Sequence, residues 1–116
     1  MLEKDIQKEI LAYLDSQGIW AWKNATQGGR VAGGKRVKAP VTGSPDIFGI
    51  ITDSHGSHLF PAGRLLAIEV KTPTGVLSDS QKAWIEKAAK SGVICFVARS
   101  VQDVKDILHS YGIKAK

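Results

Sequence analysis

The segment Leu65-Leu66-Ala67-Ile68-Glu69-Val70-Lys71 constrains this chain more than any other. An apolar run of this kind reads as a buried strand. A buried strand excludes unpaired charge, because stripping water from an ion is costly unless a partner replaces it. Here the run ends in a carboxylate, one apolar residue and an ammonium. Side chains alternate along a strand, so Glu69 and Lys71 share a face. Two readings stand. The pair neutralises itself as a structural ion pair, or it is half of a metal-dependent site.

Leu2, Ile6, Ile10, Leu11 and Leu14 recur at helical spacing before Gly18, which predicts a helix over 2–17. Residues 19–25 read as a strand, with Trp20 and Trp22 on one face, a pattern that favours core packing over base stacking. Residues 26–44, rich in glycine and lysine, read as one long loop. Gly43-Ser44-Pro45 turns into a second strand at 46–52, where Pro45 marks the start because it cannot donate to a ladder. His55 and His58 lie in a polar stretch without a carboxylate or cysteine set, which reads as a turn rather than a metal site. The strand at 65–71 follows, and Thr72-Pro73-Thr74-Gly75 breaks it. Ser78-x-x-Gln81 opens a helix that Gly92 ends, residues 93–98 form an all-apolar strand, and Ser100-x-x-Asp103 opens a last helix. The order αβββαβα predicts an α/β fold, a small mixed sheet flanked by helices, with residues 1–116 as one domain.

Charge is distributed unevenly. The net charge is +5, yet residues 17–45 hold no Asp or Glu while carrying Lys23, Arg30, Lys35, Arg36 and Lys38. The other basic residues balance the 11 acidic ones. A local basic patch on a neutral body points to a polyanionic partner, nucleic acid above all, and the bland alternative is a solvated loop. No run of about 18 apolar residues is present, so no membrane span is expected. Cys95 is the only cysteine and sits in an apolar run, which excludes an internal disulfide framework and fits a reducing, cytoplasmic setting.

If the strands at 46–52 and 65–71 pair as an antiparallel hairpin, Asp46 at the start of one meets Glu69 at the end of the other. Two converging carboxylates repel unless a cation lies between them. Mg²⁺ (or Mn²⁺) suits such a pair, since it takes oxygen ligands, keeps several waters and completes its shell with phosphate. The Val70 carbonyl offers a further oxygen, and Lys71 is placed to orient a water or to offset charge on a phosphate. This donor set fits hydrolysis of a phosphodiester.

Pro45-Asp46 followed by Glu69-Val70-Lys71 resembles the PD-(D/E)XK nuclease superfamily. With Glu3 and Ile6-Gln7 on the first helix and Leu77-Ser78 with Gln81 on the second, the chain resembles its VRR-NUC family over nearly its whole length. The resemblance implies a restriction-endonuclease-like fold and a metal-dependent DNA endonuclease. Asp46, Glu69 and the Val70 carbonyl would be metal ligands, Lys71 would position the water, and Glu3 and Gln81 would be accessory. For Gln81 the competing reading is a capping box, and for Glu3 a first-turn carboxylate on the helix dipole. The resemblance also implies the stand-alone kind of viruses and bacteria, a homodimer acting on branched DNA such as Holliday junctions in a bacterial or phage-infected cell. Two rivals remain at this level: a non-catalytic nucleic-acid-binding module, and a sequence-specific restriction-type nuclease.

Overall fold

In a computed structural model of the chain, the description covers residues 1–24, 43–52 and 63–113, together with the backbone of 29–30 and 36–37. Lys35, Lys38, His55 and His58 lie outside the described residues. The elements run α1 (Glu3–Ser16), β1 (Trp20–Lys23), β2 (Gly29–Arg30), β3 (Arg36–Val37), β4 (Ile47–Thr52), β5 (Gly63–Val70), α2 (Asp79–Lys90), β6 (Ile94–Ala98) and α3 (Val101–Ser110).

Four strands form one mixed sheet in the order β1-β4-β5-β6. β4 pairs antiparallel with both β1 and β5, and β6 runs parallel to β5. The crossover from β5 to β6 is α2, as a parallel pair requires. This is the expected α/β arrangement, αβββαβα around a small mixed sheet. One difference lies in 26–44, expected to be loop throughout: β2 and β3 pair as a short antiparallel ribbon that sets Arg30 opposite Arg36. A glycine-rich polar stretch has no apolar alternation, so nothing in its sequence signals such a pairing.

The sheet is covered on both faces, which explains why β5 and β6 read as continuous apolar runs. On one face, Ile6, Ile10 and Leu14 of α1 and Val104 and Leu108 of α3 close over Ile47, Leu66, Ile68, Val70, Ile94 and Phe96. On the other, Trp84, Ile85 and Ala88 of α2 cover Phe48, Ala67 and Cys95. Cys95 is a core residue, as expected. Burial and then the charge of Glu69 push its thiol up to about 11, so it is neutral and inert at ordinary pH.

The tryptophans correct an expectation. Trp20 and Trp22 do share a face, but they are not core: Trp20 is 72% exposed and Trp22 39%. β1 is an edge strand, and α2 spans the sheet over β4, β5 and β6 without reaching it. Alternation fixes that two residues share a face; it does not say whether a helix covers that face.

Candidate active site

The register builds the site. Ile47 pairs with Ile68, so the next residue out, Asp46, stands opposite Glu69. Cross-strand neighbours of this kind hold their Cβ atoms about 5 Å apart. Both residues are buried, Glu69 to 2% exposure. They lie on the α2 face at the carboxyl end of β5.

Asp46 is held from several directions. Its Oδ2 accepts the Val70 backbone N–H at 2.8 Å, and its carbonyl accepts the Asn24 N–H at 2.7 Å. The buried Asn24 amide donates to Pro45 O at 2.9 Å and to Ser44 Oγ at 3.1 Å, fixing the turn that delivers Asp46. Asn24 is a positioning residue that the sequence reading missed; an asparagine at a strand end carries no signal of a contact twenty residues away.

Glu69 has two unlike oxygens. Oε1 accepts from Gln81 Nε2 at 2.9 Å and lies 3.8 Å from Lys71 Nζ. Oε2 is buried and, in the carboxylate form, has no hydrogen-bond donor. A buried acceptor left unmade costs free energy, so this oxygen requires a proton or a cation. Without a cation, the Glu69 carboxyl is pushed up to about 8. Burial is the main cause. The charge of Asp46 adds to it, as does proton sharing between the two carboxyls. Lys71 pulls in the opposite direction, and Glu3 contributes a small further push.

Gln81 closes a capping box and at the same time reaches Glu69. Its Oε1 accepts the Ser78 N–H at 2.8 Å while its own N–H donates to Ser78 Oγ at 3.2 Å, a complete capping box. Its remaining amide hydrogens face Glu69. Glu3, the first residue of α1, is near enough for its charge to act on Glu69, and Gln7 one turn later is buried. Lys71 is 14% exposed. The turn beyond it is pinned by Arg99, whose Nη1 donates to Thr72 O at 2.6 Å and Gly75 O at 2.7 Å. Of the expected DNA-binding residues, Lys23 is exposed at the end of β1, and Arg30 and Arg36 occupy the β2–β3 ribbon.

The donor set can be tested against a cation. Among the described residues no group of three or more His, Cys, Asp or Glu side chains could hold a metal. Among the described residues the donors here, two carboxylates and a peptide carbonyl, are all oxygen, a set that suits a hard ion that retains water better than a thiolate- or imidazole-preferring metal. Such an ion would meet at Glu69 Oε2, beside the Asp46 carboxyl, a buried oxygen without a donor.

Compared with known protein families, residues 3–102 match the model of the VRR-NUC domain. No curated protein and no solved structure was found to match the chain. Among the described residues, no helix is long and apolar enough to cross a membrane.

Proposed function

The chain belongs to the VRR-NUC family, nucleases of the PD-(D/E)XK type, and from that premise we propose that it is a Mg²⁺- or Mn²⁺-dependent DNA endonuclease with its site at Asp46, Glu69 and Lys71. The observation that carries this reading is Glu69 Oε2, a buried carboxylate oxygen without a donor, opposite a second carboxylate. Asp46, Glu69 and the Val70 carbonyl would hold the cation. When bound, the cation acidifies a water and offsets charge on the phosphate. Gln81 fixes Glu69 through Oε1 and so reserves Oε2 for the cation. Lys71 is the acid–base neighbour of the pair: its ammonium orients the attacking water and offsets charge on the scissile phosphate. Glu3 deepens the local negative charge that draws a cation in.

The basic residues of 17–45 would bring DNA to this edge. The preferred substrate in this reading is branched DNA such as a Holliday junction, and the working species a homodimer, which sets two sites symmetrically for two strands.

The experiment incubates the chain with duplex, single-stranded, flapped and four-way DNA, with and without Mn²⁺, alongside a solution mass. Metal-stimulated products greatest on branched DNA are expected. Lys71→Ala should lose cleavage by roughly a hundredfold or more while retaining DNA binding. Binding with no metal-stimulated product would leave a nucleic-acid-binding module instead, and undiminished cleavage by Lys71→Ala would remove that residue from the mechanism.

A further inference from the structure

Trp20 and Trp22 place a large apolar surface in water. Their rings touch each other, with centroids 5.1 Å apart and planes at 50°. At that tilt the rings are not closed into a face-to-face stack, and Trp20 above all leaves surface to a third aromatic group. An exposed patch of this kind, rimmed by polar groups, marks an interaction surface.

Its position says what it binds. Trp20 pairs with Ile50 and Trp22 with Phe48, and the Asn24 N–H bonds to the Asp46 carbonyl. The stripe Trp20–Trp22–Asn24 therefore runs beside the stripe Ile50–Phe48–Asp46, on the sheet face that carries Glu69. At strand pitch the two indoles lie about 7 and 13 Å along β1 from the level of Asp46. They sit where nucleotides flanking a phosphate at Asp46 and Glu69 would pass. Charge separates the possible occupants. Lys23 follows at once, within a stretch of the chain that holds five basic residues and no acidic one. A second copy of a chain of net charge +5 brings like charge, whereas a nucleic acid strand brings complementary charge. Bases inside a duplex have their faces already stacked; unpaired bases offer theirs to aromatic side chains.

We propose that Trp20 and Trp22 form a stacking site for unpaired nucleobases beside the scissile phosphate, so that the chain engages DNA where a strand is open. The location of that phosphate rests on the function proposed above; base stacking itself is measured without cleavage. In the presence of a metal chelator, the chain is titrated with an oligodeoxythymidylate of about twelve nucleotides and with an abasic sugar-phosphate strand of equal length, following tryptophan fluorescence. The thymidylate should quench the fluorescence and bind about tenfold tighter or more than the abasic strand. Replacing both residues, Trp20→Ala with Trp22→Ala, should abolish that difference and leave the salt dependence intact, and Trp20→Phe with Trp22→Phe should restore most of it. Both side chains are exposed, so an unchanged melting temperature is expected in these variants.

Equal affinity for the two strands, or unaltered thymidylate binding by the double-alanine variant, overturns the proposal. A dimer that the double-alanine variant loses also overturns it, in favour of a second copy as the occupant. Failure of the nuclease reading is seen separately, as absence of Mn²⁺-stimulated cleavage by the unaltered chain.

Discussion

At the scale of single residues, Glu69 concentrates the physics of this chain. Its carboxyl rises from 4.5 to about 8, chiefly through burial and then through Asp46. The folded chain thus holds this proton more tightly than the unfolded chain does. The stability Glu69 contributes is fully present below its unfolded value and is lost as pH rises toward about 8. In chelator, the chain should lose on the order of 2–3 kcal/mol of stability between about pH 6 and about pH 8.5 from this residue alone. Glu69→Gln should flatten that dependence, since a neutral amide has no proton to release. Added Mn²⁺ should do the reverse of raising pH, stabilising most where the carboxyls are ionised, because cation and proton compete for the same oxygens. Thermal melting of both forms across pH, with and without Mn²⁺, checks this; parallel curves for the two forms would show that the carboxyl is ionised throughout.

At the scale of elements, the site depends on a turn meeting a helix. Gly43 has φ +82°, and a Cβ there would lie 2.5 Å from the Ser80 carbonyl carbon and oxygen. The turn that delivers Asp46 and the helix start that delivers Gln81 are therefore in backbone contact, and only glycine allows it. Gly43→Ala should cost about 1–3 kcal/mol and also weaken Mn²⁺ binding, because relieving the clash moves Asp46 away from Gln81 and Glu69. Gly92→Ala is the comparison. It has φ +89° but no atom within 4 Å of the new Cβ, so it should cost about 1 kcal/mol and leave Mn²⁺ affinity unchanged. Calorimetric melting and Mn²⁺ titration of the two variants separate strain from contact; equal Mn²⁺ affinities would show that the turn does not position the site.

The same scale explains what the sequence could reveal. Helical spacing, and apolar runs bounded by turn residues, located every helix and every strand of the main sheet, because those patterns record which faces meet a core. Asp46 beside Glu69 was legible too, since an antiparallel hairpin brings the start of one strand to the end of the next. The exposure of Trp20 and Trp22 was not, because it depends on where α2 lies across the sheet. Nor were Asn24, Arg99 and the Gly43 contact, which join residues far apart in the chain through atoms that no local pattern encodes. The unlike surroundings of the two Glu69 oxygens belong to the same class.

At the scale of the whole molecule, charge and aromatic contacts should contribute to DNA binding in separable ways. The net charge of +5 is accounted for by five residues between 17 and 45. Register sets two of them, Arg30 and Arg36, opposite each other on the β2–β3 ribbon. Each phosphate neutralised by such a side chain releases counterions, so its contribution grows as salt falls, at about 0.7 in the log–log slope per contact on single strands. Replacing Arg30, Lys35 and Arg36 by Ala should therefore lower the slope of affinity against salt for the thymidylate strand by up to roughly 2. Stacking releases no counterions, so the tryptophan variants should shift the line without tilting it. The two variant sets measured on one strand form a cycle: additive losses mean that ribbon and indoles hold the strand independently, and a non-additive loss means that one presents the strand to the other. A slope that stays fixed when the three basic residues are removed would place the phosphate contacts on another face of the molecule.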